Sequence, residues 1–169
     1  MKSALERGEN VVLCSILASS GSAPRGAGAK MAVFQNGQTL GTIGGGAVER
    51  IAAQQAVELF RTGASYCQAF CLAPNQVNDI GMICGGNVTV YFRFFDHENA
   101  RDLELVKTIL ELLASGQDAW LVSRMEDGKI TAMGTFDEAH GLRFAELDEA
   151  MLRPWLTSSA VYRKGEPSY

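Results

Sequence analysis

Gly41-Thr42-Ile43-Gly44-Gly45-Gly46-Ala47-Val48-Glu49-Arg50 joins a strand pair to a helix, and the reading of the fold works outward from this junction. Three consecutive glycines have no side chains to pack, so the backbone turns sharply there and something else can approach it closely. The helix that follows aims its unpaired N–H groups and the positive end of its dipole at the gap. An anion, most often a phosphate, suits such a place. A single glycine would mark no more than a tight connection. Three in a row favour close approach by a ligand.

Upstream, residues 29–35 and 38–43 read as two strands, with Asn36-Gly37 between them as a hairpin turn. Residues 11–18 are a continuous apolar run, as expected of a strand buried on both faces and central in its sheet. Residues 1–8 read as the end of a short helix closed by Gly8, and residues 19–28 as a loop by composition. Downstream, Val48, Ile51, Ala52, Ala56, Leu59 and Phe60 form one face of a helix ending near Gly63. Residues 65–73 read as a strand, 74–86 as a long loop of the kind that often carries function, and 87–95 as a further strand.

Residues 99–114 are the clearest helix. Leu103, Val106, Leu110 and Leu113 make one stripe, and Leu105, Ile109 and Leu112 a second. So wide an apolar surface implies packing on two sides, in the core or at a subunit contact. Residues 119–124 and 129–133 form a second hairpin around Glu126-Asp127-Gly128. Residues 142–145 add a short strand and 146–155 a short helix. Strands and helices interleave, so the class is α/β or α+β: a single mixed-sheet domain with flanking helices over residues 1–162, then a linker-like tail, 163–169.

The chain has 169 residues, 47% hydrophobic and 20% charged, which is ample for a globular core. A net charge of −4 argues against a nucleic-acid-binding surface. No apolar run approaches the roughly 20 residues of a membrane span, and residues 1–9 do not resemble a signal peptide. The expectation is a cytoplasmic protein whose four cysteines, Cys14, Cys67, Cys71 and Cys84, are reduced thiols.

The glycine turn is not a dinucleotide fingerprint, because Glu49 stands where Gly or Ala is needed and no acidic residue follows about 20 positions on. Gly21 and Gly26 have Walker A spacing, but Ala27-Gly28 replaces the Lys-Ser/Thr pair. Glu49 reads either as a favourable charge in the first helical turn or as a carboxylate that binds a polar ligand group. Arg25, between Pro24 and Gly26, is either a solvated surface group or a phosphate clamp. Cys84 precedes Gly85-Gly86 and a strand. There it is a small buried hydrophobe, or a thiolate stabilised by exposed N–H groups and a soft metal ligand. Cys14 belongs to the core. Cys67 and Cys71 share a strand face, but with only His97 and His140 elsewhere they make a poor zinc site.

In order along the chain stand Gly21-Ser22-Ala23-Pro24-Arg25, Gly28-Ala29-Lys30-Met31, Asn36-Gly37, residues 41–49 and Cys84-Gly85-Gly86. Together they resemble the N-terminal domain of the XdhC/CoxI family, accessory and maturation factors of xanthine dehydrogenase and carbon monoxide dehydrogenase. The resemblance covers roughly residues 9–95. It implies a chaperone that binds molybdenum cofactor (molybdopterin) transiently and assists its sulfuration and insertion into an apo molybdenum hydroxylase, with a cysteine desulfurase as sulfur donor. It further implies that Ser22, Arg25, Gly44, Gly45, Gly46, Glu49, Cys84, Gly85 and Gly86 bind the cofactor, with Cys84 toward the metal. Many members continue into a C-terminal Rossmann-like domain, whereas this chain stops before any such motif. The default assembly is a homodimer without membrane or nucleic-acid partners. Two alternatives stand beside a non-catalytic factor: a small oxidoreductase or sulfur-transfer enzyme using Cys84, and a structural dimerisation domain.

Overall fold

A computed structural model describes residues 1–21, 25–71, 86–126 and 129–156. Strand β1 (Val11–Gly21) runs through the middle of a five-stranded sheet of order β3-β2-β1-β5-β4. Its neighbours are β2 (Lys30–Phe34) and β5 (Gly86–Phe95), with β3 (Thr39–Gly41) and β4 (Tyr66–Cys71) outermost. Alternation explains the unbroken apolar run of β1. Val12, Cys14 and Ile16 enter one core cluster, and Val11 and Leu13 enter another on the opposite face.

The β2–β3 hairpin turns at Asn36-Gly37 as expected. Gly37 has φ 80°, and Asn36 Oδ1 accepts from the Gln38 N–H at 2.9 Å. Helix α2 (Gly46–Thr62) buries Val48, Ala52, Ala56 and Leu59. It stops at Gly63, left-handed with φ 64°, whose N–H donates to the Leu59 carbonyl at 2.8 Å. These side chains pack with Val90, Phe92 and Phe94 of β5. The Tyr66 and Phe92 rings stack at 4.9 Å.

Helix α3 (Ala100–Ser115) covers the opposite face, with α1 (Lys2–Glu6) beside it. Asn99 Oδ1 caps α3 by accepting from the Arg101 N–H at 3.0 Å. Leu105 and Val106 are buried, while Leu110 is 44% and Leu113 73% exposed. Within this chain α3 therefore packs on one side, not two. A second sheet of order β6-β7-β8 comprises β6 (Ala119–Glu126), β7 (Lys129–Asp137) and β8 (Gly141–Arg143). Met133 of β7 joins the α3-side core, so the two sheets share buried surface.

The interleaved α+β class holds, with two differences of detail. Every strand pairing among the described residues is antiparallel, so the sheet is not mixed, and the C-terminal strands form a sheet of their own. Residues 19–21, expected in a loop, extend β1 by pairing with Val88, Asn87 and Gly86. Backbone partners supplied by β5 override the loop-like Ser-Ser-Gly composition. The last expected helix is short: α4 (Glu149–Leu152), capped by Asp148, passes directly into a 3₁₀ turn at Arg153–Trp155.

Phe92→Ala should cost about 3–5 kcal/mol in urea unfolding, because the ring is fully buried between β4 and α2. Val57→Ala, on the exposed side of α2, should stay within about 0.5 kcal/mol.

Candidate functional site

The motif segments of the described chain attach to the five-stranded sheet at two levels, the C-terminal end of β1 and its middle. Gly21, the last residue of β1, pairs with Gly86, the first of β5, and Cys71 at the end of β4 pairs with Asn87. The Gly28 N–H donates to the Ile16 carbonyl at 2.8 Å, which ties the segment carrying Arg25 to the middle of β1. The Thr42 N–H donates to the Lys30 carbonyl at 3.0 Å, which brings the glycine turn there as well. Ser22, Cys84 and Gly85 lie outside the described residues.

Gly44, Gly45 and Gly46 all take positive φ, at 126°, 76° and 63°. An L side chain at each of three successive positions would be strained, so the glycine run is a backbone requirement. Their N–H groups do not all face outward. Gly45 and Ile43 donate to Glu49 Oε2 at 2.9 and 3.2 Å, and Gly44 donates to Thr42 Oγ1 at 3.1 Å. The Thr42 hydroxyl donates in turn to the same Glu49 oxygen at 2.6 Å. The sequence leads one to expect an anion at this turn, and part of that place is filled by the protein's own carboxylate. Through Oε2, Glu49 is the pin that closes the turn.

Burial of the Glu49 carboxyl raises its pKa, and the bonds from Thr42, Gly45 and Ile43 outweigh that penalty and hold it below the ordinary value. Its other oxygen, Oε1, has no partner among the described residues. The N–H groups of Gly46, Ala47 and Val48, in the first turn of α2, have no intrahelical acceptor. Arg25 is exposed and makes no hydrogen bond or ion pair among the described residues. This region therefore keeps a cation, three helix-terminal amides and one carboxylate oxygen for something outside the fold.

Burial keeps two of the described cysteines, Cys14 and Cys67, as thiols. Burial pushes the Cys14 thiol up to about 12 and the Cys67 thiol up to about 11. Cys67 Sγ rests 3.5 Å from Met125 Sδ. Among the described residues no three His, Cys, Asp or Glu side chains cluster for a metal, and no helix is long and apolar enough to cross a membrane. Sequence reasoning missed Thr42. Its signal was a hydroxyl and a carboxylate bracketing a glycine run, two short polar groups able to satisfy the turn from inside.

Residues 4–70 match the model of the XdhC and CoxI family. The match runs from α1 to β4 and includes the hairpin, the glycine turn and α2. Among solved structures, a xanthine dehydrogenase from Bacillus halodurans has a similar fold, with a TM-score of 0.70 and 17% identity. The likeness covers 87% of this chain and 45% of that one, so the chain spans less than half of that structure's length. A comparison with curated proteins gives no match.

Glu49→Gln should destabilise the protein by about 1–3 kcal/mol at pH 7, since it weakens charge-assisted bonds from three donors. The folded pKa of Glu49 lies below its usual 4.5. Its contribution is therefore present in full above that value and is lost as pH falls through the folded pKa. Urea midpoints measured from pH 7 down to acid should converge for wild type and Glu49→Gln.

Proposed function

We propose, from the match of residues 4–70 to the XdhC and CoxI family model, that the chain is an accessory factor of a xanthine dehydrogenase-type enzyme and binds its molybdenum cofactor. The observation that carries this reading is Arg25, without a partner among the described residues, on the segment tied to β1 at Ile16, next to the start of β2 where the glycine turn is anchored. The donor set there suits molybdopterin. Arg25 and the first-turn amides of Gly46, Ala47 and Val48 complement a phosphate. Glu49 Oε1 accepts from pterin N–H groups while Oε2 keeps the turn closed. Gly44 and Gly45 shape the turn rather than donate to the ligand. Ser22, Cys84, Gly85 and Gly86 complete the proposed site, with Cys84 as the soft ligand toward molybdenum.

Bound here, the cofactor would bring the molybdenum centre that the hydroxylase uses. This chain's residues would hold the phosphate and pterin, keep the metal from water, and leave its sulfur position open to a cysteine desulfurase. The partners are then that sulfur donor and the apo molybdenum hydroxylase, in the cytoplasm. Residues 1–162 act as the family's N-terminal domain and residues 163–169 as a tail. Cofactor holding of this kind requires no catalytic residue.

We also propose a homodimer through the exposed side of α3. Leu110 and Leu113 there line an apolar groove of about 590 Å³ together with Leu40, itself 65% exposed. Leu110→Lys/Leu113→Lys should convert a dimer to a monomer in sedimentation velocity. A wild-type monomer at tens of micromolar would sink this assembly.

Freshly released molybdenum cofactor, offered anaerobically, should bind the wild type saturably, and Arg25→Ala and Cys84→Ser should each weaken binding about tenfold or more. Absence of binding by the wild type, or binding indifferent to both changes, would reject the site.

A further inference from the structure

On the α3 face of the sheet, opposite the face that carries α2, a cleft of about 520 Å³ opens between β5, α3 and the β6–β7 hairpin. Tyr91 lies at its base. The residue is only 1% exposed, and among the described residues its hydroxyl makes no well-formed hydrogen bond, Ser65 beside it being a weak partner at best. Neighbouring Ser65 already accepts from the Phe94 N–H at 2.9 Å. A buried hydroxyl without a partner is costly, and native structures keep few of them. One that lines an open cleft is accounted for if a ligand supplies the missing bond.

Three guanidinium groups line the cleft. Arg93 is committed to the fold: its Nη2 donates to Asp102 Oδ1 at 2.5 Å, its Nη1 donates to the Phe94 carbonyl, and its plane covers the Phe95 ring. Asp102 also accepts from the Asp96 N–H at 2.9 Å, so this buried pair is internally satisfied. Arg101 spends only Nη2, donating to the Phe144 carbonyl at 2.5 Å. Arg124 spends only Nε, shared between Thr131 Oγ1 at 3.1 Å and Glu126 Oε1 at 3.3 Å. The other N–H groups of Arg101 and Arg124 have no acceptor among the described residues. The lining carries three arginines against Asp102 and Glu146. It is thus net positive in a chain whose net charge is −4.

We propose that this cleft binds the phosphate group of a small organic phosphate monoester. Two half-used guanidiniums offer more donors than the two oxygens of a carboxylate can accept, and a phosphate presents three. Leu105, Ile130 and Met133 give the body of the ligand an apolar wall. The volume suits one small molecule. The cleft lies across the sheet from the glycine turn, so it stands or falls separately from the cofactor reading.

Phenyl phosphate is the probe, followed by ³¹P NMR line broadening and calorimetry, with benzoate as the carboxylate of similar shape. Phenyl phosphate should saturate the wild type and bind at least about tenfold tighter than benzoate. Arg101→Gln/Arg124→Gln should weaken it about 10–100-fold, whereas Val57→Ala, on the exposed side of α2, should leave it unchanged. Tyr91→Phe separates a binding role from a structural one. It should weaken phenyl phosphate about tenfold without lowering the melting temperature of the free protein, because a poorly paired buried hydroxyl is removed. The proposal is overturned if the wild type does not saturate by about 10 mM, if benzoate binds equally well, if the double variant binds like wild type, or if Tyr91→Phe lowers the stability of the free protein.

Discussion

The backbone of β1 is hydrogen-bonded along both edges, to β2 on one side and β5 on the other, while its side chains are buried on both faces. That double constraint organises everything else. A strand buried on both faces needs a cover on each, and α2 and α3 provide them. Antiparallel pairing on both edges also sends the connections back and forth along one axis. The C-terminal end of β1, the starts of β2 and β5 and the ends of β3 and β4 must then lie at the same end of the sheet. The glycine turn is carried there by its backbone bond to Lys30 and not by any contact of its own side chains.

At that end the protein meets a conflict between turning and solvation. Three residues at positive φ expose amides in quick succession, and a helix dipole adds to their positive field. Water would satisfy those amides but would leave the turn loose. Glu49 accepts from Gly45 and from the preceding Ile43, and Thr42 accepts from Gly44 while donating to the same carboxylate. A preorganised turn with an internal anion leaves the next three amides and Arg25 oriented without a further ordering cost. This is the physical basis for treating the place as a binding site and not merely as a connection.

Much of this was legible in the sequence. The unbroken run from Val11 to Ala18 announced a central strand because only a strand covered on both faces dispenses with polar alternation. Asn36-Gly37 fixed its hairpin, and Gly63 the end of α2, through the backbone conformations these residues permit. Other features were hidden. Ser19, Ser20 and Gly21 look like a loop, and become a strand only because β5, some 65 residues later, supplies their partners. Glu49 was visible as a charge near a helix start, but its partners depend on how the turn bends. The separate C-terminal sheet could not be told from strands added to the first, since alternation reports a face and not a neighbour. The arginine cleft draws on four elements distant in sequence, and no local pattern announces it.

Hydrogen–deuterium exchange with and without molybdenum cofactor, under anaerobic conditions, tests the central claim most directly. The account predicts that bound cofactor slows exchange at Gly46, Ala47 and Val48 and at the start of β5. Exchange at Ile43 and Gly45, already held by Glu49, should change little. Protection confined to other parts of the molecule, or none under conditions where binding is saturated, would contradict it.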